Sequence, residues 1–138
     1  MKLLILLDSS LIVAYSNGAD ENHVKAKRVV EDVAKEMYGT PVITDYVFDE
    51  VVTVMLARTR SLARATKLGN TLLEAARLVR IDEDLFDAAW LIFKQQRKNK
   101  FSFTDCTSIA MCRANGISNM ATFDEDFTEL DEVNAIGP

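Results

Sequence analysis

The residues of this chain best suited to chemistry are acids, and they fall at telling places. Residues 3–7 are all Leu or Ile, and the run ends abruptly on Asp8. Thr44-Asp45-Tyr46-Val47-Phe48-Asp49-Glu50 follows a second apolar stretch, Thr104-Asp105 follows Phe103, and Thr122-Phe123-Asp124-Glu125-Asp126-Phe127 follows another short apolar stretch. Gathered carboxylates repel and raise each other's pKa, an arrangement that a hard divalent cation reverses. Mg²⁺ and Mn²⁺ prefer oxygen ligands, and Mg²⁺ takes one or two carboxylates, several waters and the phosphates of a substrate. Two such ions roughly 3.5–4 Å apart can activate a water and stabilise the leaving oxygen in phosphodiester hydrolysis.

Rival chemistries fit less well. His23 is the only histidine, and it sits in a stretch of ordinary helical character, so a Ser-His-Asp triad lacks its base. Zinc would lack its usual His and Cys ligands. Asp8-Ser9-Ser10-Leu11 lacks the second aspartate of a DxDxT phosphatase, and a receiver domain would want an acidic pair before the strand. No GxxxxGK[ST] loop is present, which excludes a P-loop NTPase.

The elements that must position these acids can be read from apolar spacing. Residues 3–7 form a continuous apolar run, the signature of a central strand buried on both faces. A short helix over 9–15 follows, capped by Asp8 or Ser9. Val29, Val30, Val33 and Met37 predict a helix over 21–37, stopped by Gly39. A strand over 41–44 leads to a helix over 46–60. Residues 61–79 read as helical with Gly69 as a candidate break, and 78–81 as a brief strand. A helix over 82–98 carries Leu85, Phe86, Ala89 and Phe93 on its apolar face. Ser102 to Asp105 has the form of a capping box, opening a helix to about 115. Strands over 119–122 and 133–136 complete the pattern. Strands alternating with helices predict an α/β fold with a central parallel sheet covered on both faces. In such sheets the functional crevice lies at the carboxyl ends of the strands, where Asp8 falls.

Each acid also has an ordinary reading. Asp8 is a good cap for the next helix, Asp105 is the acid of the capping box, and Asp124 or Glu125 can cap a turn after Thr122. Glu50 resists the solvated reading, because Val47 and Val54 share its helix face. Ser9 and Thr104 could bind a phosphate, orient a carboxylate or simply cap. Arg58, Arg60, Arg64 and Lys67, and the stretch from Lys94 to Lys100, could meet RNA phosphates or form solvated faces. Trp90 reads as core rather than as a base-stacking platform.

The 138 residues favour one unit over 1–138 with one core. The net charge of −5 argues against coating nucleic acid by charge alone, without excluding a nuclease that gathers acids around metal. Cys106 and Cys112 do not have CxxC spacing and read as core thiols in a reducing compartment. The apolar start is too short for a membrane span and lacks a cleavage pattern, so the expected location is the cytoplasm, with no membrane partner.

Taken in order, Asp8-Ser9-Ser10, the helix carrying Glu50, Phe103-Thr104-Asp105-Cys106 and Ala121-Thr122-Phe123-Asp124-Glu125-Asp126-Phe127 resemble the PIN-domain ribonucleases, most closely the small prokaryotic VapC-like toxins. The resemblance runs almost end to end. It implies a three-layer α/β/α sandwich and Mg²⁺- or Mn²⁺-dependent endoribonuclease cleavage. It matches Asp8, Glu50, Asp105 and Asp124 to the family's acidic quartet, with Asp126 as a substitute for Asp124. Asp8 and Asp105 would be the main metal ligands, and Glu50 and Asp124 would bind metal or orient the attacking water. Implied partners are an RNA substrate, a small antitoxin seated near the helices before and around the Glu50 segment, including Met55 and Leu56, and a second copy in a homodimer. The alternatives are a non-catalytic RNA-binding or scaffold module of the same fold and a DNA-directed nuclease. Flap-type enzymes of the latter kind carry more acids and insertions than this compact chain.

Overall fold

A computed structural model describes residues 3–138. Residues 1 and 2 of the expected unit lie outside the described residues. The elements run β1 (Leu4–Leu7), α1 (Ser9–Ser16), α2 (His23–Ala34), β2 (Thr40–Thr44), α3 (Asp45–Thr59), α4 (Leu62–Ala75), β3 (Arg77–Val79), α5 (Glu83–Lys94), α6 (Phe103–Asn115), β4 (Asn119–Ala121), a 3-10 turn (Glu125–Glu129) and β5 (Asn134–Ile136). The strands form one sheet in the order β3-β2-β1-β4-β5, and every neighbouring pair is parallel. The expected three-layer α/β/α sandwich is what the chain folds into.

Strand β1 is central because it is apolar on both faces. Ile5 and Leu6 point opposite ways and are both 0% exposed. Each such burial contributes about 1.5–3 kcal/mol relative to leaving the side chain in water. Ile5 and Leu7 pack with Leu11, Val29, Val47 and Leu72, so α1 to α4 cover one face. Leu6 packs with Ile109, Met120 and Phe127, and Leu85 and Ile92 adjoin them, so α5 and α6 cover the other.

Several boundaries differ from the sequence reading. Helix α4 runs unbroken through Gly69, because the missing side chain lets α3 come close: a Cβ there would stand 3.2 Å from the Phe48 ring. Helix α2 is shorter at both ends than 21–37, and Glu36 turns the chain with φ 56°. Helix α5 stops at Lys94, not 98. The Gln96 side chain then bonds Phe101 in both directions, accepting its N–H at 2.9 Å and donating to its carbonyl at 3.0 Å, which closes the loop early. The turn after Thr122 is a 3-10 turn, and Asp124 rather than Glu125 caps it. Trp90, read as core, is 47% exposed, because α5 directs Ala89 rather than Trp90 inward.

Gly39 and Gly116 carry a backbone that other residues resist, as does Gly137 at φ +133°. Gly39 has φ +100°, and a Cβ on it would overlap the Leu3 carbonyl at the start of the β1–β2 pairing. Gly116 caps α6 at φ +62°, with nothing within 4 Å of where its Cβ would be. Gly39→Ala is expected to lower unfolding free energy by about 2 kcal/mol or more, from strain and overlap together. Gly116→Ala should cost only about 1 kcal/mol, from backbone conformation alone. Denaturant titration of the two variants measures the difference, and equal losses would mean that Gly39 has room to relax.

Candidate active site

All five strands point the same way, so their carboxyl ends form one edge, and the acids collect there. Asp8 follows β1 directly. Asp124 follows β4 after Thr122 and Phe123. Asp105 is the third residue of α6, and Glu50 lies in the second turn of α3.

Asp8 is the most constrained of the four. It is 3% exposed, and its own N–H donates to the Ala121 carbonyl at 2.9 Å, extending the β1–β4 ladder by one residue. Its Oδ2 accepts three hydrogen bonds, from the Ser10 hydroxyl at 2.6 Å, the Thr122 hydroxyl at 2.8 Å and the Ser10 N–H at 3.4 Å. The Ser10 and Thr122 hydroxyl oxygens lie 3.1 Å apart. Ser10 accepts the Phe123 N–H at 2.9 Å, and Thr122 accepts the Asp124 N–H at 3.0 Å. Two hydroxyls thus tie the end of β1 to the segment after β4 and fix the plane of the Asp8 carboxylate.

The other three acids are also part cap. Asp105 accepts the Ser102 N–H on Oδ2 at 3.0 Å, completing the capping box of α6. Asp124 accepts the Asp126 N–H on Oδ1 at 2.9 Å and starts the 3-10 turn. In Asp8, Asp105 and Asp124 the cap engages one oxygen, and among the described residues no backbone donor reaches the other. Glu50 caps nothing, and its Oε2 is buried with no hydrogen-bond partner. Such a group ordinarily costs about 1–3 kcal/mol, so an orphaned carboxylate oxygen calls for a ligand.

Electrostatics tell the same story. Burial raises the Glu50 pKa, and the charges of Asp8 and Asp49 raise it further, while the Ser9 side chain pulls it back. Burial raises Asp105 to about 6 against the pull of its Ser102 cap, with help from the charges of Asp8 and Asp124. Burial likewise raises Asp124, where the Asp126 N–H opposes it and the charges of Asp126 and Asp8 add to it. Asp8 acts on all three, and no basic side chain is among the groups that act on them. Oxygen donors only, free oxygens and no resident countercharge suit a hard divalent cation. Among the described residues no three His, Cys, Asp or Glu side chains close on one point as direct ligands. The four acids are neighbours through their fields, Asp8 acting on each of the other three.

Other expected residues divide. Ser9 acts on Glu50, whereas no hydrogen bond joins the Thr104 hydroxyl to any acid among the described residues. Asp124 rather than Asp126 is the carboxylate that Asp105 feels. Asp45 serves the fold, accepting the Ile81 N–H at 2.9 Å. His23 Nδ1 lies 2.9 Å from the Ala14 carbonyl oxygen and joins α2 to α1. Cys106 and Cys112 are buried free thiols, and burial pushes their pKa up to about 11 and about 12. Sequence reading passed over Ser10 and Thr122. The signal was present, since a hydroxyl two residues after an N-cap aspartate can fold back on it, but that the Thr122 hydroxyl meets it follows only from the β1–β4 pairing.

The family model described as PIN domain matches residues 5–133. The chain is 29% identical over 127 residues to the 23S rRNA-specific endonuclease VapC20 of Mycobacterium tuberculosis, covering 91% of this chain and 92% of that protein. The crystal structure of VapC20, described as a sarcin–ricin loop cleaving toxin, matches with a TM-score of 0.81 at 28% identity, over 94% of this chain and 98% of that one. VapBC2 from Rickettsia felis, solved bound to a promoter DNA fragment, shares the fold with a TM-score of 0.73 at 12% identity, over 97% and 98% of the two chains.

Because the folded protein holds the Asp105 proton more tightly than the unfolded chain does, metal-free stability is full below the ordinary carboxylate range. It should fall as pH rises through about 6. Melting curves in chelator across that range should show the fall, and Asp105→Asn should flatten it. A wild-type profile that rises through the same window would show that the carboxyl is not held protonated. Thr122→Val is expected to keep the fold while lowering unfolding free energy by about 1 kcal/mol or more, since Asp8 Oδ2 then loses one of its hydroxyl donors. Denaturant titration reads this directly.

Proposed function

The chain belongs to the PIN-domain family, and from that premise we propose that it is a divalent-metal-dependent endoribonuclease and the toxin of a toxin–antitoxin pair. The observation that carries the reading is the uncompensated acidic cluster around Asp8, with the orphaned Glu50 Oε2 at its side. Asp8 and Asp105 would be the main ligands of Mg²⁺ or Mn²⁺, and Glu50 and Asp124, with Asp126 as its substitute, would bind the ion directly or through water. A bound ion supplies charge neutralisation for the phosphate and lowers the pKa of its water. The chain's own part is to hold that water and move its proton. Glu50 is suited to accept it, because burial already favours the protonated carboxyl. Ser9 sits beside Glu50 and can steady it, and Thr104, at the opening of α6, is free to meet a phosphate oxygen.

The name of the M. tuberculosis relative supports ribosomal RNA as the first substrate to try. The antitoxin's seat is the Met55 and Leu56 region, where Met55 lines a cleft with Val13, Tyr15 and Val54. Arg58, Arg64 and Lys67 line the same cleft, and among the described residues no ion pair involves them, so an acidic or phosphate-bearing partner fits there. A homodimer and a cytoplasmic location complete the reading, and no helix among the described residues is long and apolar enough to cross a membrane.

The test is cleavage of 23S rRNA, and of a short hairpin carrying its sarcin–ricin loop, with Mn²⁺ or Mg²⁺. Wild type should cut at a discrete position and stop on chelation. Folded Asp8→Asn and Asp105→Asn should each be slower by ~10²-fold or more. Cutting that survives both changes would move the chemistry elsewhere. Binding without cutting, with metal present, would favour the non-catalytic RNA-binding module.

A further inference from the structure

Among the described residues two buried side-chain oxygens lack a hydrogen-bond partner: Glu50 Oε2, already placed at the site, and Ser108 Oγ. Ser108 is 0% exposed and stands in the middle of α6. A serine inside a helix ordinarily bonds back to the carbonyl one turn before it. That outlet is closed here. The Thr104 carbonyl takes the helical N–H of Ser108 and also the Thr107 hydroxyl, at 2.5 Å, which fills both of its lone pairs. Close packing does not call for serine either. Alanine is smaller still, serves that purpose at Ala110 of the same helix, and leaves no orphaned hydroxyl.

Register shows where the hydroxyl lies. Side chains alternate along a strand, so Leu6 and Asp8 share one face of the sheet, as do Met120 and Thr122. That face is the one α6 covers, since Leu6 and Met120 pack with Ile109, Met111 and Cys112. Ser108 follows Asp105 by three residues and precedes Met111 and Cys112 by three and four. It therefore shares their side of the helix, one turn in from Asp105. The apolar contact with the sheet closes it off on one side, and the acidic cluster lies on the other. Asp8 and Asp124 are the acids whose charges reach Asp105, and all three keep an oxygen outside their caps.

We infer that Ser108 is a further positioning residue of this site: its hydroxyl donates into the acidic cluster when a divalent cation draws the carboxylates together. Fully buried, it does not meet a substrate, so it acts through the acids and their water. The inference rests on the metal-site reading above and adds to it a neutral donor on the α6 side.

Calorimetric titration with Mn²⁺ and melting in chelator, both on the full chain, test this. Ser108→Ala should melt in chelator no lower than wild type, because it removes a hydroxyl that nothing satisfies, yet bind Mn²⁺ about 10–100-fold more weakly. Ser108→Thr keeps a hydroxyl and should bind Mn²⁺ as wild type does, even where its extra methyl lowers the melting temperature. Asp105→Asn is the reference for a lost ligand. If it weakens Mn²⁺ binding and Ser108→Ala does not, the metal site stands and the role of Ser108 is refuted. A lower melting temperature for Ser108→Ala with that affinity kept assigns the hydroxyl to the fold instead. Equal weakening by Ala and Thr also overturns the inference, because packing rather than the hydroxyl then sets the affinity. A wild type that binds no Mn²⁺ removes the metal-site reading itself, and this inference with it.

Discussion

Four carboxylates with no basic neighbour sit at one edge of a parallel sheet, and the arrangement of the whole chain can be understood from keeping them there. Left to themselves they would repel, swing into solvent or take up protons. The fold prevents the first two by giving three of them work as helix and turn caps and by enclosing the fourth. Asp8 is pinned by Ser10 and Thr122, Asp105 by the Ser102 backbone and Asp124 by the Asp126 backbone. Glu50 is held by α3, whose Val47 and Val51 are buried on either side of it in sequence. The remaining stress raises the pKa of these carboxyls in the metal-free protein, most clearly at Asp105. The opposition drawn from sequence between a capping acid and a functional acid therefore dissolves, since one oxygen caps while the other stays available.

What sequence made legible were features dictated by local pattern. The unbroken run before Asp8 required a strand dry on both faces, and a strand of that kind in an alternating chain required a parallel sheet. Ser102 and Asp105 announced their cap by type and spacing. Glu50 betrayed itself by lying between two apolar neighbours on its face. What stayed hidden depended on contacts across the fold. Thr122 becomes a partner of Asp8 only when β4 lies beside β1. Gly69 looked like a helix breaker, and only its neighbour Phe48 shows it to be a spacer. Trp90 was misread because apolar character does not say which way a helix faces, and α5 turns Ala89 inward instead.

The comparisons bear on these layers differently. A likeness at 12% identity to the R. felis protein speaks for the backbone path, and that path suffices to bring the ends of β1 and β4 together. The site needs more, namely hydroxyls at Ser10 and Thr122 and acids at four separated positions, and it is these residues that a substitution in this chain would probe.

The double duty of the acids also shapes how the chain can change. Aspartate becomes asparagine through one base transition, and the asparagine amide oxygen can still accept the N–H or hydroxyl that the carboxylate accepted at Asp8, Asp105 or Asp124. Alanine, also one base away, loses cap and charge together. The gene therefore lies a single transition from a protein that folds, keeps its surfaces and has lost one of the four charges at the site. A lineage that changes these positions while keeping its backbone has a short route to do so, and the same route shields the fold from changes at the site.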